Sequence, residues 1–379
     1  MIGHDGEVSA LRQAFVPPAY PYDRLDRFKP VAALHAGGVV DLSIGTPCDP
    51  PPAAVIEALS TSHAERGYPP SIGTEALRDS ARAWIERRFG VAVGRDEIAA
   101  CVGTKEFVAT TPQWMALRHP GRTVVLYPAV SYPTYEMGAI LAGLRPVAVM
   151  LDNAGRLDLN SIAPQDAEQA LMLWVNSPSN PTGCLDDLGA AAEWGRVHGV
   201  PVFSDECYAE FTWSGPPRTI LTHGLDGVVA VHSLSKRSNL AGVRVGFYAG
   251  DGDIVDYLRE VRKHVGMLVP GPAQAAGRVA LDDDDHVAIQ RDRYRRRLER
   301  MATVLHDWSG LVINLPDGGF YLWFDALDGW AFTERLAVAG GALVSPGDFY
   351  GAGGAQNVRL AVVQPDDKLE LVAQRLRES

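Results

Sequence analysis

Positive charge is scarce in this chain: 35 lysines and arginines face 46 aspartates and glutamates, a formal net charge of −11. That balance argues against nucleic acid as a partner. The densest basic run, Arg291 to Arg297, is interrupted by Asp292 and followed by Glu299, the pattern of a solvated helix face. Cysteine is equally sparse. Cys48, Cys101, Cys184 and Cys207 are scattered, without metal-ligand spacing or the density of a disulfide framework, and they suit a reducing cytoplasm. The 10 histidines show no His-x-x-x-His pattern, so no metal is expected. No apolar run is long enough to cross a bilayer, and the first residues, with Asp5 and Glu7, carry no secretory-signal pattern. Repeats are missing too. The one low-complexity tract, Asp282 to Asp285, reads as a loop and helix N-terminus, where negative charge is favourable, rather than as a cation site.

What is present is an alternation. The 379 residues, 46% of them hydrophobic, suffice for one large domain and a smaller one. Short apolar runs suggest strands at Val124 to Tyr127, Pro146 to Leu151, Leu171 to Asn176, Val200 to Ser204, Val228 to Ser233 and Val245 to Ala249. Amphipathic stretches between them suggest helices at Lys105 to Arg118, Pro133 to Ala142, Leu185 to His198 and Asp251 to His264. This is the α/β pattern of a mainly parallel mixed sheet between helices, whose sites lie beyond the carboxyl ends of the strands. After about residue 275 a long arginine-rich helix leads into an alternating pattern, Leu311 to Phe324, broken at Asp317 to Gly319. Further strands are expected near Ala342 to Ser345 and Val358 to Val363. The expected organisation is an N-terminal segment (1–40) packing on the small domain, a large domain (41–274) and a small C-terminal α+β domain (275–379).

Three strand ends carry chemistry. The run Val228 to Val231 leads into Ser233-Leu234-Ser235-Lys236, with Arg244 eight residues beyond the lysine. A lysine there suits a Schiff base with an aldehyde cofactor, and the hydroxyls and guanidinium suit its phosphate. Upstream, Asn176 to Gly183 is a turn with two prolines that sets Asn180 at a strand end. Asp205 follows Val200 to Phe203, where an anion can hold a pyridine nitrogen protonated, and Tyr208 lies three residues on.

Taken together, Asn-Pro-Thr-Gly, Asp-x-x-Tyr and Ser-x-Ser-Lys with its following arginine resemble class I/II aminotransferases, fold type I enzymes of pyridoxal 5'-phosphate. The spacings match as well, 25 residues from Asn180 to Asp205 and 31 from Asp205 to Lys236. The resemblance implies that Lys236 forms the Schiff base and moves the substrate proton, while Asp205 pairs with the pyridine nitrogen. Asn180 and Tyr208 would bond the phenolic oxygen. Ser233, Ser235 and Arg244 would hold the phosphate, together with Gly103, Thr104 and Lys105 at a helix start. Tyr132 would stack on the ring. Arg359, helped by Gly45, would grip the substrate α-carboxylate. Tyr68 would reach the phosphate of a neighbouring subunit, which implies a homodimer with shared active sites.

Segments such as Val40 to Pro47, Gly103 to Glu106, Ser235 to Gly242 and Ser345 to Gly351 are most similar to actinobacterial succinyldiaminopimelate aminotransferases. That narrower resemblance implies transfer of an amino group between glutamate and N-succinyl-2-amino-6-oxopimelate, with Lys105 meeting the distal carboxylate. Val243 stands where that group has an aromatic, and Cys48 and Cys101 are unusual neighbours for the site segments, so the substrate stays open. An alternative keeps the fold and the cofactor but diverts the chemistry to β/γ-elimination, replacement or carbon–carbon bond formation in secondary metabolism. Cys207, inside the Asp205–Tyr208 motif, reads as a packing residue rather than a nucleophile.

Overall fold

All but one of the apolar runs become buried strands, because neither of their faces meets water, as parallel sheets flanked by helices require; the run from Pro146 is a half-exposed edge. A computed structural model describes residues 15–379. The beginning of the expected N-terminal segment, and the expectation about a secretory signal, lie outside those residues. In chain order the strands begin with β1 (Val40–Asp41), β2 (Ile98–Cys101), β3 (Val124–Pro128) and β4 (Arg145–Val149). Then come β5 (Ala170–Asn176), β6 (Val202–Asp205), β7 (Val228–Ser233) and β8 (Gly246–Gly250). The last are β9 (Tyr321–Asp325), β10 (Ala342–Leu343), β11 (Ser345–Pro346) and β12 (Asn357–Ala361).

Seven of them form one sheet in the order β2-β8-β7-β6-β5-β3-β4. The pairs from β4 through β7 are parallel, while β8 runs antiparallel to both β7 and β2. The expected mainly parallel mixed sheet is therefore present. One face packs on Trp84, Phe247 and Leu281, the other on Phe107, Tyr135 and Trp174. A second sheet, β11-β12-β9, is antiparallel and packs on the helix Asp285–Ser309 through Tyr294, Leu298 and Met301. The segment around the helical turn Pro21–Phe28 lies against this part: Leu25 and Phe28 are buried with Ala337, Phe349 and Tyr350.

Helix boundaries follow local chemistry. Thr74, Asp187, Asp251 and Asp328 each accept a first-turn N–H through a side-chain oxygen. The helix Thr104–Arg118 differs, since it begins at Gly103 and no side chain caps its first turn. The acidic tract behaves as a helix start: Asp283 accepts from the N–H groups of Asp285 and His286, and Asp284 pairs with Arg87 and Arg237.

Three expectations need correction. The alternating pattern from Leu311 yields a strand only from Tyr321, because Trp213 and Ser214 take the Asp317 carbonyl and draw the preceding residues into a loop. The strand expected at Ala342 to Ser345 divides: β10 pairs with β1, and β11 with β12. Finally, β2 was not anticipated, since Ile98–Cys101 is short and two of its four residues are alanine.

The loop after β5 is locked by contact. Gly183 has φ +72°, and a Cβ there would collide with Pro316 and stand 2.7 Å from the Gly318 carbonyl oxygen. Gly183→Ala is expected to cost about 1–3 kcal/mol of stability through this overlap and the left-handed backbone. Thermal unfolding checks it; an unchanged Tm would show that the loop is free to shift.

Candidate active site

Parallel strands deliver their carboxyl ends to one edge, and the polar residues that follow the apolar runs meet there. The loop after β5 supplies Asn180, the end of β6 supplies Asp205, and β7 leads through Ser233 into the short helix Leu234–Arg237 that carries Lys236. These groups surround a cavity of about 440 Å³, closed on the other side by Tyr321 and Arg359 of the second sheet.

Lys236 is partly open toward the cavity, and its Nζ donates a short hydrogen bond to the Gly45 carbonyl oxygen. Only glycine fits at position 45, since a Cβ would collide with the Tyr321 hydroxyl. Enclosure of the amine pulls Lys236 down to about 8, so a sizeable neutral fraction exists near neutrality. Asp205 is buried at the other side of the cavity. Its Oδ2 accepts from the Tyr135 hydroxyl at 2.9 Å and its Oδ1 from the Cys207 N–H at 3.2 Å. Burial pushes its carboxyl above the ordinary range, against those two bonds. A cationic ring nitrogen beside it would remove that penalty. Tyr208 shares a hydrogen bond with Tyr321, 2.9 Å between hydroxyls, and burial holds its phenol protonated. The Cys207 thiol donates to Thr104 Oγ1 at 3.2 Å, and burial drives it well above the usual thiol range. It is a packing thiol, not a nucleophile.

Next to the lysine lies a cup of donors. Ser233 Oγ, Ser235 Oγ, Thr104 and Arg244 all line the cavity. Arg244 donates to the Ala241 carbonyl at 2.9 Å and only loosely to Ser235 Oγ, at 3.5 Å. Gly103, at φ +73°, has no room for a Cβ against the Arg244 guanidinium, so it brings the uncapped helix start close to that cation. A guanidinium, hydroxyls and free backbone donors in one concavity suit a phosphate dianion. Together with a buried amine and a buried carboxylate, the set fits pyridoxal phosphate.

Opposite sits Arg359, 1% exposed. Its Nη1 donates to Asn180 Oδ1 at 2.7 Å, and its Nη2 donates to the Ser43 carbonyl oxygen and to the Tyr22 hydroxyl at 3.2 Å. The guanidinium lies over the rings of Tyr321 and Tyr350, 4.1 and 4.8 Å from their centroids. Among the described residues its Nε has no partner. This is a cation held in place with donor capacity in reserve.

Of the residues singled out in the sequence, Gly45, Thr104, Lys105, Tyr132, Asn180, Asp205, Tyr208, Ser233, Ser235, Lys236, Arg244 and Arg359 border this one cavity, and Gly103 touches it through Arg244. Lys105 is at the rim, its Nζ 3.3 Å from the Tyr20 hydroxyl. Tyr68 is not among them; it is 97% exposed. Four tyrosines of the site escaped the sequence reading. Tyr135 lies three residues beyond Tyr132 and was legible as its neighbour; Tyr20, Tyr22 and Tyr321 carry no local signal. Among the described residues, no group of three or more potential ligands is arranged to hold a metal, and no helix is long and apolar enough to cross a membrane.

Comparison with known proteins agrees with this geometry. The family model described as aminotransferase class I and II matches residues 37–376. A probable aminotransferase of Mycobacterium tuberculosis, Rv1178, is 41% identical over 95% of this chain and 85% of its own. The 4-dedimethylamino-4-oxo-anhydrotetracycline transaminase OxyQ of Streptomyces rimosus is 40% identical over 95% of this chain and 99% of its own. Among solved structures, a probable N-succinyldiaminopimelate aminotransferase from Thermus thermophilus superposes with a TM-score of 0.84 at 32% identity, covering 94% of this chain and 99% of that one.

The lowered Lys236 amine has a consequence for stability. Between about 8 and the ordinary 10.5, the unfolded chain binds a proton that the folded apoprotein lacks, so stability rises with pH across that window. Lys236→Met removes this contribution. Denaturant unfolding of the two apoproteins is expected to show wild type gaining on the variant from pH about 8 to about 10; a constant difference would mean that the amine is not depressed.

Proposed function

The chain belongs to the class I and II aminotransferases, pyridoxal phosphate enzymes, and on that footing we propose the roles of its residues and its substrates. The observation that carries the reading is the convergence of Lys236, Asp205 and Arg359 on one cavity. Pyridoxal phosphate, when bound, supplies the electron sink that lets an amino acid lose its α-proton. Arg359 binds the α-carboxylate with the donor capacity its guanidinium keeps, the Nε–H included, with Asn180 beside it, and Gly45 leaves space for that close approach. With the cofactor in place, Lys236 Nζ would take the proton that the substrate α-carbon releases and hold it for return. Asp205, held by Tyr135, would stay anionic by accepting the ring N–H. Asn180 and Tyr208 would bond the phenolic oxygen. Ser233, Ser235, Arg244, Thr104 and the N–H groups of Thr104 and Lys105 at the uncapped helix start after Gly103 would receive the phosphate, and Tyr132 would stack on the ring.

The amino donor in this reading is L-glutamate. The acceptor is a keto acid with a distal carboxylate that Lys105 meets, N-succinyl-2-amino-6-oxopimelate being the leading candidate; the Thermus structure supports it. A second reading, a polycyclic ketone, has support in the identity to the Streptomyces relative and in the aromatic rim of Tyr20, Tyr22 and Tyr132. The active form is a homodimer in which the exposed Tyr68 reaches the partner's phosphate site. Four unpaired cysteines support a cytoplasmic setting.

Adding excess L-glutamate without any keto acid to the holoenzyme is expected to convert the cofactor band to that of pyridoxamine phosphate and release 2-oxoglutarate. Restoring the original band with the succinylated keto acid or with a polycyclic ketone then separates the two acceptors. A spectrum unmoved by glutamate would defeat the donor assignment. Arg359→Ala is expected to raise the KM for the amino acid by about a hundredfold, the loss of a charge-assisted pair worth roughly 2–3 kcal/mol. An unchanged KM would remove Arg359 from carboxylate binding.

A further inference from the structure

Directly behind the cavity, two polar side chains face each other in apolar surroundings. Glu206 follows Asp205 at the end of β6, and His232 precedes Ser233 at the end of β7. Glu206 Oε2 lies 3.4 Å from His232 Nε2, longer than an ordinary hydrogen bond, and among the described residues neither atom has a hydrogen-bond partner. The two residues are 1% and 3% exposed. The other carboxyl oxygen, Oε1, accepts from the Ile220 N–H at 2.7 Å. Trp84 meets the imidazole edge-on at 4.9 Å, and Phe89 and Phe247 enclose it at 5.9 and 5.2 Å.

Besides burial, Asp205, the chain neighbour of Glu206, adds a like charge that also pushes Glu206 up, while Glu210 and Arg237 border a void of about 10 Å³ together with the pair. These last two are already matched: Glu210 takes Arg88 at 2.8 Å and Arg237 at 3.4 Å, and Arg237 also reaches Asp284 at 2.7 Å. An ionised Glu206 would have no cation but a protonated His232 to offset it, and burial outweighs the help it gets from the Thr219 and Ser204 hydroxyls and the Ile220 N–H. Burying both as ions costs several kcal/mol each, which one 3.4 Å contact does not recover. A single shared proton avoids the cost. Burial acts in this direction on both groups, pushing Glu206 up to about 8 and pulling His232 down to about 3.

We infer that Glu206 and His232 share one proton as a neutral acid–imidazole pair, and that this pair is a positioning device pinning the ends of β6 and β7. The proton sits on Glu206 Oε2 and is donated to His232 Nε2, which leaves the imidazole's own proton on Nδ1. No charge is created, and no group outside the pair is needed. The pair holds Asp205 and Ser233 because each is the immediate chain neighbour of one member. Only this last consequence rests on the cofactor reading given above.

Infrared difference spectroscopy of the wild-type apoprotein against Glu206→Gln tests the proton directly. A protonated carboxyl C=O band is expected at neutral pH, sensitive to deuterium exchange and absent from the variant. Its absence from wild type would overturn the inference, because Glu206 would then be ionised. The positioning role is tested on cofactor binding. The carboxamide of Glu206→Gln can still donate to His232, so its dissociation constant for pyridoxal phosphate is expected within about twofold of wild type. Glu206→Leu cannot donate, and about tenfold weaker binding is expected, equivalent to about 1.4 kcal/mol. Equal affinity in Glu206→Leu would end the positioning role, as would an equal loss in both variants, which would mark a merely structural site. The infrared band needs only wild type and Glu206→Gln, and so decides the pair even if Glu206→Leu does not fold. Failure of wild type to bind pyridoxal phosphate would instead defeat the cofactor reading and leave that band unaffected.

Discussion

The guanidinium of Arg359 joins parts of the chain that local structure would never bring together. Its partners Asn180, Ser43 and Tyr22 are 179, 316 and 337 residues away in sequence. One comes from the loop after β5, one from the segment after β1, and one from the N-terminal turn. Burying such a charge is expensive unless it is well bonded, so the surrounding segments have little freedom to drift. The rings of Tyr321 and Tyr350 complete the enclosure, which places the second sheet at a defined distance from the first. The cavity exists because this cation sets the gap between the two.

Electrostatics within that gap follow from a single cause. Water is displaced from Lys236, Asp205 and Tyr208, and each moves toward its uncharged form. The groups meant to meet charge remain the exception: Arg359 keeps its charge against burial because the phenol oxygens of Tyr22, Tyr350 and Tyr321 surround it, and Arg244 brings a second guanidinium to the other end. The apoprotein site therefore carries two fixed positive centres, one at each end, separated by groups whose protonation depends on what is bound. That polarity matches a ligand pair with a carboxylate at one end and a phosphate at the other.

Much of this was legible in the sequence because parallel strands put function at a predictable place. Lys236, Asp205 and Asn180 each follow an apolar run, and the sheet topology alone brings the three ends to one edge. The reading failed where partners come from different layers. Tyr321 sits in an alternating strand pattern, where burial explains it fully until the fold sets its hydroxyl against Tyr208. Tyr22 lies in a proline-rich stretch with no periodicity. Local pattern also misjudged continuity: Ala342 to Ser345 is one apolar run in sequence, yet β10 and β11 join different sheets because the chain bends between them. Tyr135 was within reach, since it stands three residues after Tyr132 in the same motif, but nothing in the sequence says that Asp205 is the group it meets.

The buried thiol of Cys207 bears on which nucleophile an aldehyde encounters. In water a thiol ionises before an ammonium ion does, so sulfur would compete for the carbonyl. Removal of water acts on the two groups with opposite sign, because ionisation creates charge on sulfur and removes it from nitrogen. In this cavity the order is inverted: Lys236 falls to about 8 while Cys207 rises well beyond its usual range. The same dry environment therefore confers chemoselectivity, silencing sulfur and freeing nitrogen, without any residue dedicated to that task.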